Sequence, residues 1–244
     1  MTEKLSPEIR DIFYSVEKNY NEITENIAAA AIKSGRRPED ITFLAATKTV
    51  EPIVINHAVS LGLRYIGENK VQELLSKYDE YDLANCQLQF IGHLQTNKVR
   101  QIIGKVSMIQ SVDSLKLASE ISKQSVKDGV DTDILIEVNI GREENKSGVL
   151  EEELFELLEK TSKLENIKVR GLMTIPPICG SKTENYKYFD KMNKLFIDIS
   201  AKTLDNVSMD FLSMGMSDDY QEAILAGANM VRVGSGLFGA RIYR

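Results

Sequence analysis

A lysine at the carboxyl end of an apolar run is the first residue in this chain with chemical potential. Ile41-Thr42-Phe43-Leu44-Ala45-Ala46-Thr47-Lys48-Thr49-Val50 reads as a short strand covered on both faces. An ammonium cannot join such a core without a partner. It either snorkels to solvent or points into a cleft, where partial desolvation favours the neutral amine that forms Schiff bases. Two further stretches, Ser213-Met214-Gly215-Met216-Ser217-Asp218 and Gly234-Ser235-Gly236-Leu237-Phe238-Gly239, combine glycines with hydroxyls and lead toward helix starts. Backbone N–H groups, a hydroxyl and a helix dipole together make an anion site, although the same residues also form ordinary turns. Arg232 lies two residues before Gly234 and by alternation shares its face. Its guanidinium needs a partner there: a salt bridge to Glu137 or Asp210, or a ligand.

The elements that must position these residues follow from periodicity. Ser6-Pro7 starts a long amphipathic helix whose apolar positions recur from Ile9 to Ala30, stopped by Gly35. After the Lys48 strand comes a helix from Pro52 to Gly62. Strands then centre on 64–69, 88–92, 106–112, 133–139, 168–174, 209–213 and 229–234. Helical patterns separate them at 71–75, 96–103, 115–121, 151–164 and 188–199, and another begins after a cap at Asp218. Asp113 or Ser114 caps the helix at 115, and Ser181 to Asn185 reads as loop.

Eight strands alternating with helices predict a parallel sheet. At 244 residues the expected fold is one α/β domain over 1–244: a (β/α)8 TIM barrel with an additional long N-terminal helix. Only ten residues follow Gly234, too few for a full eighth outer helix, and the N-terminal helix is expected to fill that gap. An open doubly wound sheet is the runner-up, but no glycine-rich dinucleotide turn follows the first strand.

Barrel closure pairs strand eight with strand one, so the Gly234-Ser235 loop should lie beside Lys48. Loops after strands seven and eight favour phosphate, and an amine beside a phosphate cradle suits a phosphorylated aldehyde. Pyridoxal 5'-phosphate, which links to lysine as a Schiff base, satisfies both constraints. A phosphorylated sugar in a lysine aldolase satisfies them too. With the former, Arg232 would face the pyridine nitrogen and keep it unprotonated, weakening the ring as an electron sink.

Composition narrows the classes further. A net charge of −6 with dispersed lysines and arginines offers no field for nucleic acid. Cys86 and Cys179 show no CxxC spacing, so neither a zinc site nor a disulfide framework is expected. The N-terminus carries no signal-like apolar stretch and no run could span a bilayer, so a cytoplasmic protein without membrane partners is expected.

Seven ordered blocks resemble the pyridoxal phosphate homeostasis protein family, an alanine racemase-like family also called proline synthetase co-transcribed. They are Ala45–Thr49, Ile66–Glu73, Phe90–Lys98, Val138–Ile140 with Lys146–Gly148, Gly171–Ile175, Leu212–Asp218 and Val231–Gly239. The resemblance implies the fold type III barrel of the alanine racemase N-terminal domain. It implies pyridoxal phosphate carried on Lys48, its phosphate held by Ser213, Gly234 and Ser235, Arg232 at the pyridine nitrogen, and Asn69 as a further pocket residue. Ser235 stands where other members often have threonine, and Gly236 where many have a side chain.

An enzyme is the rival reading, specifically a racemase-like enzyme dependent on the same cofactor. Racemisation needs an acid or base on each face of the cofactor, one of them supplied in racemases by a tyrosine from a second, all-β domain. This chain shows no such domain, and Tyr243 beside the terminus reads as a surface residue. His57 falls in a helix pattern, while His93 follows strand three and could serve proton transfer. The expected role is therefore non-catalytic: a monomer, with no dedicated catalytic residue and no metal, that maintains the intracellular cofactor supply, with cofactor-dependent apoenzymes as recipients.

Overall fold

The computed structural model describes residues 6–177 and 181–239. Eight parallel strands close into a barrel in sequence order: β1 (Thr42–Ala46), β2 (Tyr65–Glu68), β3 (Gln87–Phe90), β4 (Met108–Val112), β5 (Thr132–Glu137), β6 (Ile167–Met173), β7 (Val207–Ser213) and β8 (Met230–Val233). The helices are α1 (Pro7–Lys33), α2 (Pro52–Ser60), α3 (Val71–Lys77), α4 (Leu115–Asp128), α5 (Glu151–Thr161), α6 (Lys182–Ser200), α7 (Tyr220–Leu225) and α8 (Ser235–Phe238). No described helix is long and apolar enough to cross a membrane.

Local chemistry explains most boundaries. The Ser6 hydroxyl accepts from the Ile9 N–H, and Pro7 occupies the first helical position of α1. Ser114, rather than Asp113, caps α4, its hydroxyl accepting from Leu117. Three expectations are corrected. Residues 181–185 do not form a loop, because Ser181 and Glu184 make a Ser-x-x-Glu start and the Ser181 hydroxyl caps α6. The cap of α7 is Asp219, not Asp218, and its carboxylate takes the Met216 N–H. Between β3 and β4 the expected α-helix is a 3-10 turn, Thr96–Gln101. Its buried residue Val99 and the buried Ile102 that caps it stand three apart, the spacing that aligns side chains in that tighter helix.

The main core lies between strands and helices, with Phe90 and Phe189 among its largest buried side chains. The barrel interior holds a separate small apolar group, Met108, Leu135 and Met173, packed by Phe211. As expected, α1 completes the outer ring by packing against α2, α7 and α8. Asn19 of α1 donates to the Leu237 carbonyl at 3.0 Å, and Arg36 donates to Ala228 at 2.8 Å and to Ile224. Those bonds brace the outside of the seam where β8 meets β1.

That seam is in register: Thr42 pairs with Met230, Leu44 with Arg232 and Ala45 with Val233. Elsewhere the ladder slips, once between β6 and β7 just before Gly171, between the Val169 and Gly171 pairings. Gly171 has φ 144°, and a Cβ there would meet the Phe211 carbonyl oxygen at 1.9 Å. We expect Gly171→Ala to cost about 3 kcal/mol, combining overpacking with an unfavourable backbone conformation. A lowered urea midpoint at unchanged m-value would register it.

Candidate functional site

β1 ends at Ala46, and Lys48 sits two residues on, partly buried, at the carboxyl face of the barrel. Alternation puts it on the inner side with Leu44 and Ala46. Thr47 points the other way, fully buried, its hydroxyl bonded to Glu68 at 2.8 Å and its N–H to the Gly67 carbonyl at 2.9 Å. Thr49 has φ 64°, in the left-handed region that a β-branched residue rarely enters and that costs roughly 1–2 kcal/mol. The chain therefore makes a strained turn immediately after Lys48.

Across the seam, Arg232 lies level with Leu44 and is only 4% exposed. Its guanidinium donates to Ser213 Oγ at 2.7 Å and to the Thr174 carbonyl at 2.9 Å. Neither acceptor is charged. Glu137 and Asp219 attract it through space, but no carboxylate pairs with it among the described residues, and burial lowers its pKa to about 10. Asp210 is engaged elsewhere, with Arg170 at 2.6 Å. Neither expected salt bridge forms.

Ser213 is fully buried, accepts from Arg232, and donates to Gln110 Oε1 at 2.7 Å. Gln110 in turn donates to Gln89 Oε1 at 2.6 Å. The hydroxyl thus takes its bonds beneath Arg232 and, among the described residues, does not bond the β8 loop. The hydroxyl that does is Ser217: its Oγ accepts the Gly234 N–H at 3.2 Å and the Gly236 N–H at 3.1 Å. Two backbone donors converge on one oxygen at the start of α8, where Ser235 is exposed. Gly234 also lies against β1, since a Cβ there would stand 3.2 Å from the Ala46 carbonyl oxygen.

Other groups stand around the mouth. Asn69 follows β2, the neighbour of β1, and its buried Oδ1 has no partner among the described residues. Glu137 ends β5, 5% exposed, with Oε1 accepting from Ser147 at 3.0 Å and a buried Oε2 that lacks a partner among the described residues. Burial raises the Glu137 pKa, the Ser147 bond and the Arg232 charge opposing, and the Asp113 charge adding. The His93 side chain is 61% exposed, with Nδ1 3.9 Å from Asp113. His57 lies in the outer layer, stacked on Phe13 at 3.9 Å.

The structure thus brings Lys48, Arg232, Gly234 and Ser235 to one side of the mouth, with Asn69 two strand ends along. Sequence reasoning did not single out Ser217, although it identified its loop; nothing in the residue types distinguishes it from Ser213. It also passed over Gln110, and it weighed Glu137 only as a salt-bridge partner. Cys86 is a buried free thiol whose pKa burial pushes up to about 11. Cys179 and Tyr243 lie outside the described residues, among which no cluster could hold a metal ion.

Comparisons with known proteins agree with this architecture. The family model for the alanine racemase N-terminal domain matches residues 19–242. The pyridoxal phosphate homeostasis protein of Aquifex aeolicus is 45% identical over 221 residues, 91% of this chain and 96% of that one. Its counterpart in Escherichia coli K12 is 35% identical over 231 residues, 93% and 97%. Among solved structures, PipY of Synechococcus elongatus with bound pyridoxal phosphate superposes at TM-score 0.77 and 30% identity, covering 87% of this chain and all of that one. Alanine racemase from Corynebacterium glutamicum, 14% identical at TM-score 0.68, shares the fold over 93% of this chain and 61% of its own. The chain belongs to the pyridoxal phosphate homeostasis protein family, built on the alanine racemase N-terminal barrel.

Proposed function

We propose that this chain binds pyridoxal 5'-phosphate, holds it through a Schiff base on Lys48, and serves intracellular homeostasis of that cofactor without dedicated catalysis. The observation that carries the proposal is the β8–β1 seam, where Gly234 packs on Ala46 two residues before Lys48 while Arg232 lies buried on the same face. Four features of the site fit the cofactor. Ser217 Oγ stands where an anionic phosphate oxygen would take the Gly234 and Gly236 N–H groups. Ser235 adds a second hydroxyl. Among the described residues the Arg232 guanidinium makes two hydrogen bonds, so some of its five donors remain for a ligand atom. The Asn69 Oδ1 is a buried acceptor that lacks a donor among the described residues.

The chain's own residues have separable tasks. Lys48 would supply the amine that joins the cofactor's aldehyde as a Schiff base. Arg232 presents a charged donor to the pyridine nitrogen and so holds that nitrogen unprotonated. Ser213 and Thr174 hold Arg232 in place; in this reading Ser213 acts on the cofactor through Arg232, and Ser217 with Ser235 takes the phosphate. Bound pyridoxal phosphate supplies an electron sink in its enzymes, and an unprotonated ring nitrogen weakens that sink. Tethering without turnover follows. The same loss of electron demand leaves Glu137 and His93 without a carbanion to manage, which disfavours the racemase-like reading.

Purified protein loaded with the cofactor should be yellow, borohydride should bleach it, and Lys48→Ala should be colourless under identical loading. A colourless wild-type protein would refute the assignment, whereas racemisation of amino acids well above the free cofactor's rate would favour the enzyme. The two serines should also separate. Ser217→Ala should weaken equilibrium binding about tenfold, the worth of one hydrogen bond to a charged group. Ser213→Ala should spare phosphate affinity and instead move the visible absorption band, because Arg232 loses an acceptor. Equal losses of affinity in both variants would return Ser213 to the phosphate.

A further inference from the structure

Lys48 lies between two residues whose backbones are gripped from outside the barrel wall. On one side, Thr47 gives its hydroxyl to Glu68 Oε1 at 2.8 Å, and its carbonyl accepts from Lys77 Nζ at 3.2 Å. On the other, the Thr49 N–H donates to Glu73 Oε1. The three charged groups are themselves joined, with Lys77 Nζ 3.1 Å from Glu68 and 2.6 Å from Glu73. Lys77 therefore directs its three donors at Glu68, Glu73 and the Thr47 carbonyl. Tyr81 donates to Glu68 at 2.8 Å, and burial, reinforced by that carboxylate, pushes its phenol above the ordinary range, so it stays a neutral donor.

Glu68 is fully buried and the Lys77 side chain is 13% exposed. Packing α3 on β2 does not require this arrangement, since apolar side chains of similar volume commonly fill such a place at no loss of stability. The distinctive property of the cluster is where its bonds converge: on the peptides immediately before and after Lys48, the second of which is held in the left-handed conformation at Thr49. Backbone strain of that kind persists where the surroundings over-determine it.

We infer that Glu73, with Lys77 and Glu68 behind it, is a positioning residue for Lys48, holding the Thr47–Thr49 turn so that the lysine amine projects at a fixed angle over the mouth. The inference rests on the reading of Lys48 as the cofactor's attachment point. Glu73 is the member of choice for testing, because its side chain is 18% exposed and its bond to Thr49 is specific.

The experiment uses the full chain and added pyridoxal phosphate. It follows the rate of Schiff-base formation by absorbance and the visible circular dichroism per bound chromophore, which reports a fixed orientation. Glu73→Ala is expected to slow attachment about tenfold, the scale of a slightly misplaced reacting group, and to reduce the dichroism per chromophore. Glu73→Gln keeps an acceptor for the Thr49 N–H and should restore both values. Glu73→Asp keeps the charge beside Lys77 but withdraws the carboxylate by one methylene. It should show the same losses in milder form, and it supplies the readout if Glu73→Ala does not fold. Uptake by wild type with unchanged rate and dichroism in Glu73→Ala and Glu73→Asp overturns this inference alone. A wild type that takes up no pyridoxal phosphate overturns the proposed function and this inference with it.

Discussion

Everything at the carboxyl face of this barrel depends on how β8 hydrogen-bonds to β1. The pairing of Leu44 with Arg232 puts the arginine inside the barrel and brings Gly234 against Ala46. Lys48 follows one alternation later, on the same face. One closure thereby sets three groups from opposite ends of the chain at consecutive levels of a single seam. A slip of one residue would turn Arg232 toward the helices and carry Lys48 out of the mouth. The bracing of α1 by Asn19 and Arg36 against α8 and the end of α7 explains how so short a strand as β8 keeps that register.

Beneath the mouth the interior is unusually polar for a barrel, where bulky branched side chains ordinarily fill the layers. Here an arginine is carried by a serine and a carbonyl, the serine by Gln110 and Gln110 by Gln89. Each acceptor is neutral, so the guanidinium charge is solvated by dipoles and, among the described residues, forms no direct ion pair with a carboxylate. A salt bridge would neutralise that charge and occupy its donors. The arrangement instead keeps a cation available to whatever occupies the space above it, at the cost in desolvation that lowers its pKa.

The fold is shared with alanine racemases, yet this chain spans 61% of the Corynebacterium enzyme and 96% of its Aquifex relative. Fold alone does not decide activity. Around Lys48 this chain sets a buried arginine on the inner face and an external charge cluster that holds the lysine's backbone.

Much of this was legible in the residue order. Periodicities of two and of three to four revealed the alternating strands and helices, because a barrel's outer core is built from repeating local patterns. Lys48, Arg232, Gly234 and Ser235 could be named because each departs from the pattern of its own strand or loop, and closure then joined them. Other features had no local signature. Ser213 and Ser217 are the same residue type in one loop, and only the tertiary structure sends the first to Arg232 and Gln110 and the second to the β8 amides. In sequence Glu68 reads as the end of a strand and Glu73 and Lys77 as ordinary charges after it, and their bonds to Thr47 and Thr49 exist only once α3 packs on β2 beside β1. Sequence by itself determined which elements form and which residues resist burial, since propensity and polarity are local. Which hydroxyl meets which donor, and how the turn after Lys48 is held, were decided by tertiary structure, because hydrogen bonds join groups that only closure of the barrel brings within three ångströms.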